Sequence, residues 1–425
     1  MDTALEKAEA YINEHQQQAF AFLQEVVQQP SLQGKEKGAQ DVVISKLKEL
    51  GLQVDIWDPG SELLEHPYYV PSRSEYTGSP NVVGVLKGTG GGKSVILNGH
   101  IDVVPEGDVT KWRHGPYSGE IENGKMYGRG TTDMKGGNVA MLFAVESILK
   151  SGIKLKGDVI FQSVIEEESG GAGTLSSIIR GYKADVALIP EPTNMKLFVK
   201  QQGSMWFRVT VEGKSAHAGT RYEGVSAIDK AWKVHQAIMQ LEITRNLRVN
   251  DPLYSSIPIP LPINVGKIQG GNWPSSVPDK VIIEGRIGVG PEEEMESVRQ
   301  ELRDSIGVVS AADEWLKQHP AKVEFFGAQW VPNAIQEQHP FVQILSKEFP
   351  GIYDRQVKIE ASPWGTDGGL FGKVGGIPAV VMGPGETKVA HYPDEFIDLQ
   401  EMIRAARLFM RTIIHWCEIS EAKSK

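Results

Sequence analysis

The segment SVILNGHIDVVPEG, residues 94–107, is an apolar stretch that runs into a turn containing proline and glycine. DVIFQSVI at 158–165 and ADVALIP at 184–190 have the same form, and helical patterns such as NVAMLFAVESILKSG at 138–152 alternate with them. This alternation predicts an α/β fold: a mostly parallel sheet with helices on both faces. Since ligands bind outside the carboxyl ends of such strands, the loops after the strands are where a site is expected.

The pattern changes near residue 204 and changes back near residue 319. MWFRVTVEGK and KVIIEGRIGV are amphipathic strands, and two helical patterns lie near 225–241 and 291–305. We therefore predict an inserted α+β domain at 204–318. The catalytic domain would then be discontinuous and comprise 1–203 and 319–425.

Composition limits the classes of ligand. The formal net charge is -10, which gives no electrostatic basis for binding nucleic acid or an anionic membrane. The first residues are acidic and helical in period, and no run approaches the roughly 18 apolar residues of a membrane span. These features predict a cytoplasmic protein with a small-molecule or peptide ligand. Cys417 is the only cysteine, so a transition-metal site must use histidine and carboxylate donors.

Acidic and imidazole side chains follow several of the predicted strands. They are His100, Asp102, Asp133, Glu167, Glu168, Glu191 and His391. Each taken alone has an ordinary interpretation, such as a strand-end histidine, an N-cap aspartate or a solvated acidic turn. Together, two imidazoles and several carboxylates suit two divalent ions, Zn²⁺ first and Co²⁺ or Mn²⁺ next. There is no G-x-S-x-G elbow, so metal-assisted hydrolysis is the leading hypothesis.

A series of motifs along nearly the whole chain resembles the M20 family of metallopeptidases and deacylases. In family order they are GHIDVVP, GRGTTDMKGG, EEESGGAG, PEPT, GKSAHAG, GTDGG and HYPDEF. The family includes acetylornithine deacetylase, succinyl-diaminopimelate desuccinylase, aminoacylase and glutamate carboxypeptidase. The resemblance implies a di-zinc exopeptidase-like catalytic domain with an inserted lid or dimerisation domain, and a homodimer formed through the insert.

The resemblance also implies roles for the catalytic-domain residues. One ion would be held by His100, Asp133 and Glu191, and the other by Asp133, Glu168 and His391. Asp102 would orient His100, and Glu167 would be the general acid and base. The family usually has Asp-Glu-Glu where this chain has Glu166-Glu167-Glu168, so a shift of the register by one residue stays open.

Further residues are implied to contact substrate. His217 would stabilise the oxyanion in the site of a partner subunit, and Arg286 would contact a substrate carboxylate or the oxyanion. Gly365, Thr366 and Asp367 form the family's glycine-threonine-acid turn, for which a tight structural turn is the alternative. The asparagine usual in the lid loop falls at Ser275, and Asn272 lies three positions away as a candidate replacement.

We expect a metal-dependent hydrolase of linear amides in which water shared by two ions loses its proton to Glu167 and attacks the carbonyl. Glu191, where aminopeptidases of the family tend to have aspartate, favours a small N-acyl amino acid resembling acetylornithine or succinyl-diaminopimelate. Ser275, Trp273 and Trp364 favour an alternative, the N-formyl-aminopyrimidine deformylase of thiamine salvage. A dipeptidase or carboxypeptidase comes third, and a non-catalytic metal-bound scaffold is the hypothesis from another class.

Overall fold

The computed structural model describes residues 2–73 and 75–420 and divides into two compact units. The first unit comprises the residues up to Lys200, Asn333–Glu360, and those from Thr366 onward. The second comprises Gln201–Pro332 and Ala361–Gly365. Helices and strands are numbered along the whole chain.

A mixed sheet forms the centre of the first unit. Its strands, in chain order, are β1 Gln53–Trp57, β2 Asn81–Leu86, β3 Val95–His100, β6 Val159–Val164, β7 Val186–Pro192, β8 Leu197–Gln201, β13 Asn333–Ala334, β14 Ile359–Ser362 and β15 Ala379–Gly383. The spatial order is β1-β2-β6-β3-β7-β15-β8-β13, with β14 beside β8. The four central strands, β6, β3, β7 and β15, are parallel, whereas β1, β2 and β8 pair antiparallel. The predicted α/β fold is confirmed, with the parallel part confined to the centre.

Helices cover both faces of this sheet. They are α1 Asp2–Val27, α2 Lys37–Glu49, α3 Gly136–Lys150, α4 Ala172–Ile179, α7 Pro340–Glu348, α8 Pro350–Tyr353, α9 Gly368–Leu370 and α10 Leu399–Cys417. Helix α3 packs against α1, α10 and the central strands, and it is buried from Gly136 to Ile148, as its apolar sequence requires. A small antiparallel sheet adds β4 Glu120–Glu122, β5 Lys125–Tyr127 and β16 Phe396–Asp398.

None of the helices in the described ranges combines the length and the hydropathy that crossing a membrane requires.

The second unit is a four-stranded antiparallel sheet with two helices. It contains β9 Gly203–Glu212, β10 Ile263–Gly270, β11 Lys280–Val289, β12 Lys322–Trp330, α5 Ala227–Asn246 and α6 Met295–Ala312. The order is β10-β11-β9-β12. Along β9 the alternation is strict: Met205, Phe207, Val209 and Val211 are buried in a core shared with both helices.

The unit extends beyond the boundary drawn from the sequence. Strand β12 follows residue 318 and pairs with β9, so the main stretch of the unit runs to Pro332. The segment KVEFFGAQW in β12 has a β-bulge, between Phe325 and Gln329, which interrupts the alternation that marks a strand in sequence. The roles of this unit as lid and dimerisation domain stay predictions.

Parallel pairing brings the ends of β3, β6 and β7 to one edge of the first sheet. His100 ends β3, Glu166 follows β6 after one residue, and Glu191 lies at the end of β7. Helix α3 is fixed to the same edge, because Asn138 Nδ2 donates to the backbone oxygen of His100 at 2.6 Å. Gly99 permits this approach: a Cβ added there would lie 1.7 Å from Asn138 Oδ1.

We predict that Gly99→Ala destabilises the first unit, because the added methyl group must push α3 away from β3. The expected loss is about 1–3 kcal/mol in the free energy of unfolding, measured by chemical denaturation. Gly307→Ala, in α6, is the matched control. Apart from its chain neighbours and the backbone of its own helix, no described atom lies within 4 Å of its added Cβ, so a gain of about 0.5–1 kcal/mol is expected. Equal stability of Gly99→Ala and the unsubstituted protein would contradict the packing described.

Candidate metal and active site

His100 presents one ring nitrogen to a cluster of carboxylates. Its Nδ1 donates to the backbone oxygen of Asp102 at 2.8 Å, so Nε2 is the ring nitrogen available to a metal ion. Nε2 lies 3.2 Å from Asp133 Oδ1 and 3.9 Å from Glu191 Oε1. The ring is buried, so its orientation is fixed before any ligand binds.

Asp133 lies between two imidazoles. Its Oδ1 faces His100, and its Oδ2 lies 3.2 Å from Nε2 of His391. The side chain comes from the loop before α3, and His391 comes from the segment before β16. One carboxylate therefore has each oxygen directed at a different histidine, the arrangement expected of a bridging ligand.

The three consecutive glutamates have different surroundings. Glu166 adopts a left-handed backbone conformation, with φ 64°. Its carboxylate forms an ion pair with Arg73 at 3.0 Å and accepts hydrogen bonds from Gln33 and Ser72. The carboxylate of Glu166 therefore binds residues of other loops.

Glu167 and Glu168 belong to the cluster instead. Glu168 Oε1 lies 3.0 Å from His391 Nε2, whereas Glu167 can share a ligand position with His100 and Glu191. This geometry agrees with the register in which Glu168 is the ligand and Glu167 the acid and base, although the roles themselves stay predictions.

Asp102 acts through two different groups. Its backbone oxygen, not its carboxylate, contacts His100 Nδ1 most closely, since Oδ1 is 3.6 Å away. Its carboxylate accepts the backbone N–H groups of Glu167 at 3.3 Å and Glu168 at 3.2 Å. Asp102 therefore ties the turn after β6 to the end of β3, a contact that the sequence did not predict.

The charges of the cluster call for a cation. Burial, together with the neighbouring Glu191, raises the pKa of Glu167 well above its ordinary value. Burial and Asp133 do the same to the pKa of Glu191. Hydrogen bonds with Asp133 and Glu168 raise the pKa of His391 to about 11. Bound cations would replace these protons. Possible ligand atoms of His100, Asp133 and Glu168 lie within 4.8 Å of one another. The residues present are therefore suited to hold metal ions.

The glycine-threonine-acid turn divides between the two units. Asp367, in the first unit, is buried and accepts a hydrogen bond from Thr174 Oγ1 at 2.6 Å, and burial raises its pKa to about 6. Thr366 Oγ1 accepts the backbone N–H of Gly368 at 3.0 Å. Gly365 belongs to the second unit, where an added Cβ would lie 2.6 Å from Trp330 Cβ. Asp367 also contributes to the raised pKa of Glu167, so it lies within electrostatic range of that carboxylate.

The remaining candidates lie in the second unit. His217 is exposed, and its Nδ1 accepts the backbone N–H of Gly219 at 3.1 Å. Arg286 lies in β11, and desolvation lowers its pKa to about 10. Asn272 and Ser275 are both exposed in the β10–β11 connection. The first-unit cluster contains none of these residues.

One carboxylate with an imidazole on each side, among further carboxylates, is typical of metal-dependent hydrolases. The profile of Peptidase family M20/M25/M40 matches residues 96–415, and the chain belongs to this family. It is a hydrolase that acts on amide bonds, as the sequence predicted.

Similar proteins cover the chain to different extents. An N-formyl-4-amino-5-aminomethyl-2-methylpyrimidine deformylase of Halalkalibacterium halodurans is 30% identical over 99% of this chain and 99% of its own. A probable succinyl-diaminopimelate desuccinylase of Staphylococcus epidermidis is 27% identical over 72% of this chain and 80% of its own. The solved structure of the di-peptidase Dug1p of Saccharomyces cerevisiae has a TM-score of 0.77 at 16% identity, covering 99% of this chain and 100% of that one.

Metal addition should stabilise the chelator-treated protein, because a cation relieves the repulsion among the buried carboxylates. Zn²⁺ at about 100 times its dissociation constant should add about 2.7 kcal/mol to the free energy of unfolding, seen as a higher Tm. Asp133→Asn should remove most of this response, since it loses the charge between the histidines. Asp251→Asn, which alters an N-cap in the second unit, should respond like the unsubstituted protein. A full response in Asp133→Asn would exclude Asp133 as a shared ligand.

Proposed function

We propose that the chain hydrolyses the formamide of an aminomethylpyrimidine, releasing formate and the free amine. The observation that carries this proposal is the full-length similarity to the deformylase, which extends over 99% of both chains. Similarity to the desuccinylase covers 72% of this chain. The order of the two substrate classes is thus the reverse of that favoured by Glu191 alone.

Two divalent ions would be held by imidazole and carboxylate donors only, which suits Zn²⁺ and also Co²⁺ or Mn²⁺. The donors are those of His100, Asp133, Glu168, Glu191 and His391. When bound, such ions polarise the amide carbonyl and lower the pKa of water towards about 7.

Glu167 carries the proton in this proposal. Its carboxylate accepts a proton from the attacking water and returns it to the nitrogen of the leaving amine. The two N–H groups held by Asp102 fix the backbone that carries Glu167, so its carboxylate needs little reorganisation during the reaction. His217 would stabilise the developing oxyanion in the site of a partner subunit.

Arg286 supports a second candidate, an N-acyl amino acid. Its guanidinium is partly buried, and no carboxylate among the described residues forms an ion pair with it. Because an arginine in such a position suits a carboxylate ligand, acetylated or succinylated amino acids stay an alternative substrate class. Gly365, Thr366 and Asn272 would add substrate contacts in either case. A homodimer formed through the second unit and a cytoplasmic location stay predictions.

We predict that Glu167→Gln lowers kcat by about 10²–10⁴, because the amide cannot take up the proton. Zn²⁺ affinity, measured by calorimetric titration, should stay close to that of the unsubstituted protein. The control is Glu146→Gln, which alters a buried carboxylate that pairs with Lys46 and Tyr11 instead. It should leave kcat unchanged. Undiminished turnover by Glu167→Gln would exclude Glu167 as the base.

A substrate panel tests the two candidate classes. The N-formyl aminomethylpyrimidine, N-acetylornithine and N-succinyl-diaminopimelate are assayed with Zn²⁺, Co²⁺ and Mn²⁺, and kcat/KM for the formamide should exceed the others by at least about tenfold. Arg286→Met should impair the two amino-acid substrates more than the formamide. Arg208→Met, a change to a surface arginine of β9 paired with Glu284, is the control. Binding of metal without hydrolysis of any member would instead support the scaffold hypothesis.

A further inference from the structure

We infer that Arg129 and Glu395 form a positioning pair, a buried ion pair that holds Asp133 and His391 in place for the proposed metal ions. The inference rests on the proposed metal site but concerns two residues that contribute no donor to it. Both side chains are buried, and Arg129 Nη1 lies 2.6 Å from Glu395 Oε2.

The guanidinium of Arg129 joins two loops that carry cluster residues. Its Nη2 donates to the backbone oxygen of His391 at 3.2 Å and to that of Pro105 at 3.3 Å. Its Nη1 also reaches the backbone oxygen of Tyr392 at 3.4 Å. Pro105 lies in the loop after β3 that also contains Asp102, so one side chain connects this loop to the segment of His391.

Glu395 binds the loop before α3, which carries Asp133. Its Oε1 accepts the backbone N–H groups of Thr132 at 3.0 Å and Asp133 at 3.1 Å. Its own backbone oxygen accepts the N–H of Gly128 at 2.9 Å. The carboxylate thus positions the backbone of the residue whose side chain lies between the two imidazoles.

The conformation of His391 explains why this support is needed. Its φ is 66°, in the left-handed region that a residue with a side chain seldom adopts. Relaxation of that backbone would turn Nε2 away from Asp133 and Glu168. The hydrogen bond from Arg129 to the His391 carbonyl opposes that relaxation.

The planar fork of arginine is essential to this arrangement. Two nitrogens donate in different directions at once, to a carboxylate and to carbonyl groups of two loops. A lysine ammonium is a single point on a flexible chain and cannot reproduce that geometry. A purely structural role would instead need only a buried pair, and such pairs can often be replaced by apolar residues without loss of stability.

The test uses Arg129→Lys, Glu395→Gln and the double variant Arg129→Met/Glu395→Gln, each freed of metal by chelation. Zn²⁺ affinity is measured by calorimetric titration, and the ligand field by the visible spectrum of bound Co²⁺. We expect the Zn²⁺ affinity to fall about 10–100-fold and the Co²⁺ spectrum to change. Substitution of residues that hydrogen-bond to metal ligands has effects of this size in other metalloproteins. Glu395→Gln keeps the shape and an acceptor oxygen, so it provides a folded variant if the others unfold.

Arg245→Lys is the matched control. Arg245 is equally buried and pairs with Glu293 at 2.5 Å, but it lies in the second unit. This variant should lower Tm and leave Zn²⁺ affinity and the Co²⁺ spectrum unchanged.

Unchanged affinity and spectrum in Glu395→Gln and in every other folded variant would overturn the inference, whatever happens to Tm. Failure of the substrate proposal is distinguishable, because it would appear as absent hydrolysis of the formamide by the unsubstituted protein with its metal affinity intact.

Discussion

The cluster of the first unit is centred on one carboxylate, that of Asp133, which has an imidazole on each side. Around it, Glu167, Glu168 and Glu191 concentrate negative charge at a largely buried sheet edge. Burying like charges is unfavourable without a cation, and protons take that place only by shifting pKa values far from their ordinary range. The surrounding backbone contacts keep these groups together despite their repulsion. The position of Asp133 therefore has to be specified by the fold itself.

Much of the fold of the first unit could be predicted from the sequence, because each of its strands and helices has a recognisable pattern within a short stretch of residues. Apolar strands and the helix after GRGTTDMKGG predicted the parallel centre, and residues after those strands do come together at one edge. Because the chain has one cysteine, the metal ligands could be predicted to be histidine and carboxylate side chains. Periodicity and turn residues carry this kind of information.

Other features could not be predicted because they depend on backbone groups. That the carbonyl of Asp102 contacts His100, while its carboxylate binds two N–H groups of the next turn, follows from the fold and not from the pattern His-x-Asp. Arg129 and Glu395 stand inside recognisable motifs, yet nothing in those motifs indicates contacts with carbonyl and amide groups of distant loops. Strand β12 lies outside the predicted boundary of the second unit, because a bulge interrupts the alternation of apolar and polar residues that would mark it as a strand.

The cluster gathers side chains that are far apart along the chain. His100 and Asp133 are synthesised early, whereas His391 comes from the segment just before the last helix, α10. Domains whose contacts span long separations cannot complete their core until the last contributing segment has emerged from the ribosome. Until the segment that carries His391 has been made, the nascent chain therefore carries an acidic cluster that lacks one of its two imidazoles.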